Sequence, residues 1–496
     1  MGYKKKVAII GAGPAGCMCA YFAQKYCDVT LFDLKNPLHT LLYTGGGRCN
    51  LAYEEYDFKE LVKFYPRGEK FLYSIFSQFS TADTIEFFES IGVETYTQDD
   101  LRIFPKSNSA KDLRGKFLKS LKSCEIRKEK VFRIGVNRHA ELDISSCSRA
   151  CEAYKGGCRL RKSASNQLAL TGKIPNQVRD DVKVGDGCIF FVKTDKNIYQ
   201  FDKVVIAVGG HAGFELAKNL GHKIIEPKPA LTGLITSEDF KSLQGISLKQ
   251  VKAEIFCSNN DVIMNLVQHR ISERPCDPDC RFDTLPCNPR SAQKQEELSS
   301  SGRRKVGIIK DDMIFTHEGI SGPLAYKISS ICAREDYDKK NPIKIKLDLI
   351  AATGKILNQV QDDVERETIW FQNLLNSNSQ KDVKTLIAEF VPKSLAEYIV
   401  NQLHLPLKCH QVDGKTRDLI LKQLKEFEIT VISPAKEGEV VTSGGVCLDE
   451  INAKTMQSKL VEGLYFCGEV IDVDGFCGGF NLQNCWSTGF VAGSSI

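Results

Sequence analysis

KKKVAIIGAGPAGCMCAYFAQKYCDVTLFD, residues 4–33, decides the fold. KKVAII is a short β-branched run and reads as a buried strand. GAGPAG turns the chain, AGCMCAYFAQKY has helical spacing, and DVTLFD is a second strand. Strand, glycine turn, helix and strand within about thirty residues make a βαβ unit. Gly11 permits the tight turn, Gly13 lets a diphosphate approach the backbone, and Gly16 lets the helix pack on the strand. Free N–H groups at the helix start, from Ala15 onward, and the helix dipole suit an anion. Asp33, closing the second strand, can accept both hydroxyls of an adenosine ribose. A glycine turn in some other α/β fold is the alternative.

Three further stretches extend this reading. TGGGRCN (44–50) follows the second strand. Its glycines offer backbone N–H groups, Arg48 can pair with a phosphate, and Asn50 can donate to a phosphate or ribose oxygen. Cys49 lacks a CxxC partner and reads as a packed thiol. KVVIAVGG (203–210) is a strand ending on two glycines, where Gly210 suits a close backbone approach. GLYFCGEVIDVDGFCGGFNLQNCWSTGFVAG (463–493) is a strand ending on Gly468 and Glu469, then an Asp-Gly loop and a helix opening at Asn481. Asp472 suits a ribityl hydroxyl. N–H groups of Asn481, Leu482 and Gln483 can face a flavin carbonyl. Glycine turns at both ends of one chain suit a long, extended ligand, and FAD is one.

The rest of the chain sets bounds. It has 496 residues, 42% hydrophobic and 26% charged, with a net charge of +5. That balance argues against a dedicated nucleic-acid or membrane-surface protein. No apolar run approaches the ~18–20 residues of a membrane-spanning helix. The apolar run after Lys4–Lys6 breaks too early for a signal peptide, and Lys6 stands where a myristoylation signal wants Ser or Thr. Cytoplasmic location is expected, with the 19 cysteines reduced. Residues 59–123 read as amphipathic helix with a loop at LRIFPKSNSAKD (101–112). Residues 188–210 read as strand, turn, strand, strand, and about 227–433 as mixed and strand-rich.

Two segments repeat. TGKIPNQVRDDVK (171–183) matches TGKILNQVQDDVE (353–365) at ten of thirteen positions. Their surroundings do not match, so this is no fold repeat. It reads as one short peptide inserted twice, in loops that tolerate it, or as two copies binding a shared partner. Residues 140–170 and 271–305 also look inserted. Cys147, Cys151 and Cys158 repeat the spacing of Cys276, Cys280 and Cys287. A zinc site wants a fourth ligand and a tighter pair, so no metal is expected.

GAGPAG, TGGGRCN, LRIFPKSNSAKD, AVGG, PALTGLI, MIFTHEGISGP, VTSGGVCLDEINAKTMQSKL and GEVIDVDGFCGGFNLQ occur in this order. Together they resemble the bacterial NAD(P)/FAD-dependent oxidoreductases of the aminoacetone-oxidase type. The paired 13-residue segments resemble repetitive palindromic-element peptides. The resemblance implies an α/β fold: a Rossmann-like, two-dinucleotide-type FAD domain with an inserted domain, part β-barrel-like and part helical. The expected divisions are 1–139, an insertion at 140–187, 188–226, an inserted domain at 227–437 with insertions at 271–305 and 351–366, and 438–496. The implied FAD contacts are Gly11, Gly13, Ala15, Gly16, Asp33, Arg48, Cys49, Asn50, Val131 (its backbone toward adenine), Gly210, Gly468, Glu469, Asp472, Gly479, Asn481 and Leu482. The sequence departs from the family pattern in carrying Asp rather than Glu at 33, Leu101 in place of a glycine, and His39–Leu42 in place of a basic lead. The last helix is expected to be short.

In MIFTHEGISGP, Thr316 and His317 can line the substrate side, with His317 as a proton donor. A turn that docks the inserted domain is the alternative. The expected activity is oxidoreduction: the flavin is reduced by NAD(P)H or substrate and reoxidised by an organic acceptor or dioxygen. One full-quality GxGxxG leaves NAD(P)H to bind only transiently. The expected partner is a small-molecule substrate, with no nucleic acid and no membrane, and the sequence sets no oligomeric state. A tRNA-modifying flavoprotein and a degenerate, non-catalytic dinucleotide-binding protein are the alternatives.

Overall fold

A computed structural model describes residues 4–137, 189–257, 303–350, 364–435 and 441–496. The chain forms two compact units, one of Met1–Glu226 with Gly444–Ile496, the other Pro227–Ser443. The stretch 140–187, both cysteine triplets and the first repeated peptide lie outside the described residues.

The first unit is built on a parallel sheet. Strands β1 (Lys6–Ile10) and β2 (Asp28–Asp33) flank helix α1 (Pro14–Ala23) in sequence. β3 (Glu125–Lys128), β4 (Lys203–Ile206), helix α2 (Gly210–Asn219), β5 (Leu464–Phe466) and helix α3 (Phe480–Ser495) complete the frame. The strand order is β5-β4-β1-β2-β3, and every pairing is parallel. Parallel strands need crossovers that cover both faces, so they read as continuous apolar runs. Val7, Ala8, Ile9, Val204, Val205, Ile206, Leu464 and Phe466 are accordingly all buried.

Register places the strand ends together. Ile10 pairs with Phe32 and with Ile206, and Ile206 with Phe466. The turns that follow these four residues therefore open on one edge of the sheet, where ligands of open α/β sheets bind. α3 packs along α1 because both lack bulk at the contact. A Cβ built on Gly489 would lie 2.5 Å from Ala15 O, and one on Gly493 would lie 2.4 Å from Cys19 O. α3 is sixteen residues long, not short as expected.

The stretch 59–123 is less helical than its amphipathic pattern suggests. Helices Phe58–Leu61, Glu69–Phe76, Thr81–Ser90 and Ala110–Ser120 are separated by strands Thr95–Thr97 and Arg102–Pro105. The second of these lies inside the expected loop and pairs with Ala52–Tyr53 and Thr95–Thr97. The burial of Ile103 and Phe104 outweighs the turn-forming residues that follow them. Strands Ile189–Thr194 and Ile198–Phe201 lie where expected and join Val131–Asn137 in a three-stranded sheet.

The second unit holds a closed six-stranded barrel. Its order is Leu234–Thr236, Gly319–Ser321, Arg304–Phe315, Ser247–Cys257, Ile343–Asp348, Phe427–Pro434. Closure removes the free strand edges. IKIKLD alternates as a barrel strand must, with Ile343, Ile345 and Leu347 buried. Helices Val364–Ser377, Val383–Ile387, Lys393–Gln402 and Gly414–Lys425 supply the helical part. The fold is therefore the expected one: α/β, Rossmann-like, with a barrel and helices. Two described elements reach into expected insertions. The strand Arg304–Phe315 begins inside 271–305, and the helix Val364–Ser377 begins inside 351–366, overlapping the second repeated peptide. Among the described residues, no helix is long and apolar enough to cross a membrane.

Candidate functional site

The first glycine turn is locked by the missing side chains. Gly11 has φ +103° and donates its N–H to Phe32 O at 2.8 Å. A Cβ on Gly11 would fall 2.6 Å from Val208 N, and one on Gly16 would fall 1.9 Å from Gly11 O. Gly13 differs, because a Cβ there would meet nothing within 4 Å. Gly13 is also the N-cap of α1 and has no side chain with which to cap it. The N–H groups of Ala15 and Gly16, in the first turn, have no partner within the helix. Asp33 serves this loop: Oδ2 accepts from Ala12 N–H at 2.7 Å and Oδ1 from Lys35 N–H at 2.8 Å. Each oxygen keeps a second lone pair for a ribose hydroxyl.

Two other turns meet the first. Between β4 and α2 the chain repeats the device, since a Cβ on Gly213 would lie 1.8 Å from Val208 O. Gly210 has φ +69° with open space where a Cβ would stand. After β5, Gly468 has φ +78°, and a Cβ on it would lie 2.6 Å from the Ala15 side chain. Its N–H donates to Thr488 Oγ1 at 2.9 Å. Glu469 stands next to Gly209, 3.2 Å from a Cβ built there. Glu469 is open to solvent yet ringed by protein at longer range, as a group facing a crevice is, and desolvation pushes its carboxyl up.

The start of α3 corrects part of the expectation. The helix begins at Phe480, after Gly479 with φ +100°, where a Cβ would lie 2.7 Å from Ala52 C. Asn481 uses its whole side chain on Gly475: Oδ1 accepts from Gly475 N–H and Nδ2 donates to Gly475 O, each at 2.8 Å. Its side chain clamps the loop, and only its backbone N–H, with that of Leu482, faces outward from the helix start. Gln483 is withdrawn altogether. Its N–H donates to Gly479 O at 2.9 Å, and its side chain bonds Thr84 and Ser487. Asp472 is buried. The nearby Asp474 is fully buried against Arg67, whose Nε donates to Oδ1 at 2.6 Å.

In the GGGRCN stretch, Gly45, Gly46 and Gly47 are all left-handed, at φ 56°, 66° and 84°. Arg48 lays its guanidinium on the Phe104 ring at 4.2 Å and donates Nε–H to Gly45 O at 3.3 Å. Cys49 is left-handed (φ 68°) and buried, and desolvation pushes its thiol up to about 12. That makes it a packed thiol rather than a nucleophile. Asn50 is 9% exposed, and its Oδ1 has no partner among the described residues. Val131 is half-buried on the strand Val131–Asn137 and pairs with Thr194.

Thr316 and His317 belong to the second unit, at a hairpin closed by Thr316 N–H to Gly319 O at 2.8 Å. The His317 side chain is 62% exposed, with Nε2 3.9 Å from Glu318 Oε1. A cavity of about 620 Å³ in this unit is lined by Lys252, Glu254, Lys346, Glu367 and Lys425, and by none of the expected site residues.

The first unit thus brings Gly11–Gly16, Asp33, Gly209–Gly210 and Gly468–Glu469 to one sheet edge. α1, α2 and α3 all start on a glycine N-cap without a side-chain cap. Elsewhere Asp57, Ser109 and Asp413 cap their helices with side chains, whereas the helices after Gly68, Gly322 and Pro392 also start without one. Uncapped helix starts, the empty space at Gly13 and the unpartnered Asn50 Oδ1 fit a dinucleotide such as FAD. Sequence reasoning missed Arg67, Asp474, Gly209 and Gly213. Gly213 had a legible signal, standing five residues after Val208 as Gly16 stands after Gly11. Arg67 and Asp474 had none.

Three comparisons bear on these observations. A family model described as HI0933-like protein Rossmann domain matches residues 5–150 and 162–495. A 3-dehydro-bile acid delta(4,6)-reductase of Clostridium scindens is 24% identical, over 98% of each chain. A ribosomal RNA dihydrouridine synthase of Haemophilus influenzae is 23% identical, over 98% of this chain and 97% of that one. A solved flavocytochrome c3 fumarate reductase, in its open conformation, aligns with a TM-score of 0.41 and 13% identity, over 100% of this chain and 78% of that one.

Proposed function

The chain belongs to the family described as HI0933-like protein Rossmann domain, and on that premise we propose that it is a cytoplasmic, FAD-dependent oxidoreductase acting on a small molecule. One observation carries the reading. Three helix starts without side-chain caps and an open Gly13 belong to the unit whose sheet edge gathers the glycine turns. Such an edge suits an anionic, extended dinucleotide. The N–H groups of Ala15 and Gly16 hold the diphosphate, and Asp33 accepts from the adenosine ribose. Val131 meets the adenine through its backbone, while Arg48 and Asn50 hold phosphate or ribose oxygens. Gly210, Gly468, Glu469 and Asp472 border the ribityl chain. Gly479 and the N–H groups of Asn481 and Leu482 face the pyrimidine edge. The chemistry FAD supplies when bound is two-electron storage between a donor, NAD(P)H or substrate, and an organic acceptor or dioxygen.

The relatives' names support one substrate class. A delta(4,6)-reductase and a dihydrouridine synthase both saturate carbon–carbon double bonds, in a 3-oxo steroid and in a uracil ring. This chain then reduces an alkene conjugated to a carbonyl. His317 and Thr316, in the second unit, are the proposed proton donor and substrate-orienting residue.

A ribosomal RNA base is the second reading, favoured by the full-length match to the Haemophilus influenzae protein. Charge pairing on the barrel weighs against it. Lys249, Lys305, Lys327 and Lys346 are each held by a carboxylate, at 2.6–3.0 Å, from Asp312, Glu254, Asp311 and Glu426. Paired lysines give up little counterion-release energy to a phosphate backbone.

The test is the spectrum of the purified protein. A yellow protein, bleached anaerobically by NADH or NADPH and recoloured by an enone, supports the enzyme. A colourless protein that FAD does not reconstitute overturns it. Co-purifying ribosomal RNA moves the substrate to the second reading. His317→Ala with unchanged turnover removes His317 from the reaction.

A further inference from the structure

We propose that Glu469 couples binding of the dinucleotide's diphosphate to the uptake of one proton, so that the protein holds its cofactor more tightly in acid than in base. The inference rests on the FAD reading and deepens it.

The geometry has three parts. Gly468 presses on Ala15, in the first turn of α1, where the unclaimed N–H groups lie. Glu469, one residue on, stands over Gly209, the N-cap of α2. Its carboxyl therefore stands at the start of α2, with Oε2 3.7 Å from a Cβ built on Gly209, one residue along the chain from the contact with α1. Secondly, the carboxyl has no hydrogen bond or ion pair among the described residues. Thirdly, it is solvent-accessible but ringed by protein, so a ligand in the crevice would cover it.

The charges around it are few. Desolvation pushes its carboxyl up, and among the described residues no ion pair reaches it. From α3 the Cys485 thiol faces it, and burial keeps that thiol neutral. An arriving diphosphate would then be the dominant charge beside Glu469. Two anions side by side in a desolvated crevice repel, and the carboxyl relieves this by taking up a proton. The neutral acid can also donate a hydrogen bond to a phosphate or ribityl oxygen, which the carboxylate cannot. The diphosphate stays ionised throughout, so the proton goes to the protein.

The test is the FAD dissociation constant, by quenching of flavin fluorescence, from about pH 5.5 to about pH 8.5. Linkage of one proton gives up to a tenfold weakening per pH unit. Wild type is expected to weaken in this way as pH rises. Glu469→Gln, a permanently neutral isostere, is expected to bind FAD with an affinity that does not change with pH. His211→Asn, removing the imidazole in the first turn of α2, is the control and should weaken like wild type. Calorimetry of wild type in two buffers of different ionisation enthalpy should show proton uptake on binding, whether or not the variant folds. A flat wild-type profile, or Glu469→Gln weakening with pH as wild type does, overturns the proposal and leaves the flavoprotein reading standing. Failure of wild type to bind FAD at any pH overturns both.

Discussion

Arg67 and Asp474 stand 407 residues apart in the chain and meet as a fully buried ion pair, Nε to Oδ1 at 2.6 Å and Nη2 to Oδ2 in parallel. The bidentate fork ties the helical stretch after β2 to the Asp-Gly loop that leads into α3. It thereby sets the loop carrying Asp472 and Gly479. Breaking a buried pair by removing one partner costs about 3–5 kcal/mol, because a desolvated charge is left behind. Arg67→Met is expected to lower the free energy of unfolding, measured in urea, by that amount. Arg67→Met with Asp474→Leu should lose less than Arg67→Met alone. A double variant as unstable as the sum of the two singles would deny the coupling.

Gly13 and Gly16 separate folding from binding. Gly16→Ala drives a methyl into Gly11 O, 1.9 Å away in the present backbone, where nothing flexible can give. That variant is expected to melt far below wild type or to accumulate insoluble. Gly13→Ala enters empty space at φ −76°, a conformation open to alanine. Its melting curve without FAD should shift by only a few degrees, while flavin retained on purification falls. Equal retention by Gly13→Ala would show that the diphosphate does not approach there.

His222 gives the first unit an acid sensitivity. It is 3% exposed, with its ring against Phe466 and Nε2 2.7 Å from Ser458 Oγ. Desolvation holds its pKa below the ordinary 6.5, with Glu450 acting weakly the other way. The unfolded chain thus takes up the proton at higher pH than the folded one does. Stability from this group is complete above about pH 6.5 and drains away as pH falls toward the folded value. Urea unfolding followed from about pH 7.5 down to about pH 5 should show this slope, and His222→Gln should flatten it. An unchanged slope in the variant would assign the acid sensitivity elsewhere.

Asn484, in the second turn of α3, is fully buried, and neither its Oδ1 nor its Nδ2 has a partner among the described residues. A stranded buried amide costs about 1–3 kcal/mol. Asn484→Leu is expected to raise the melting temperature of the FAD-free protein. A fall would reveal that the amide has a partner, such as a bound water.

Much of the first unit was legible because its determinants are local. The 30-residue opening contains its own strand, turn and helix, and Gly11 and Gly16 meet across a single turn. Asp33 was legible as an acid at a strand end, though not as the acceptor for Ala12 N–H. Gln483 was misread because the fourth N–H of a helix is taken by the carbonyl of its N-cap, here Gly479 O. Arg102–Pro105 was misread because the partner strands that make it β lie some fifty residues back and seven residues away.

Hydrophobic period, glycine spacing and the acid closing β2 were enough, by themselves, to determine a Rossmann-like unit, since backbone sterics and side-chain period act within a few residues. Tertiary structure alone decided which turns share the sheet edge, that Arg67 neutralises Asp474, and which N–H groups stay unclaimed at α1, α2 and α3. Those outcomes depend on strand register and on competition for hydrogen bonds between groups hundreds of residues apart. Desolvation settles that competition only once the chain has packed.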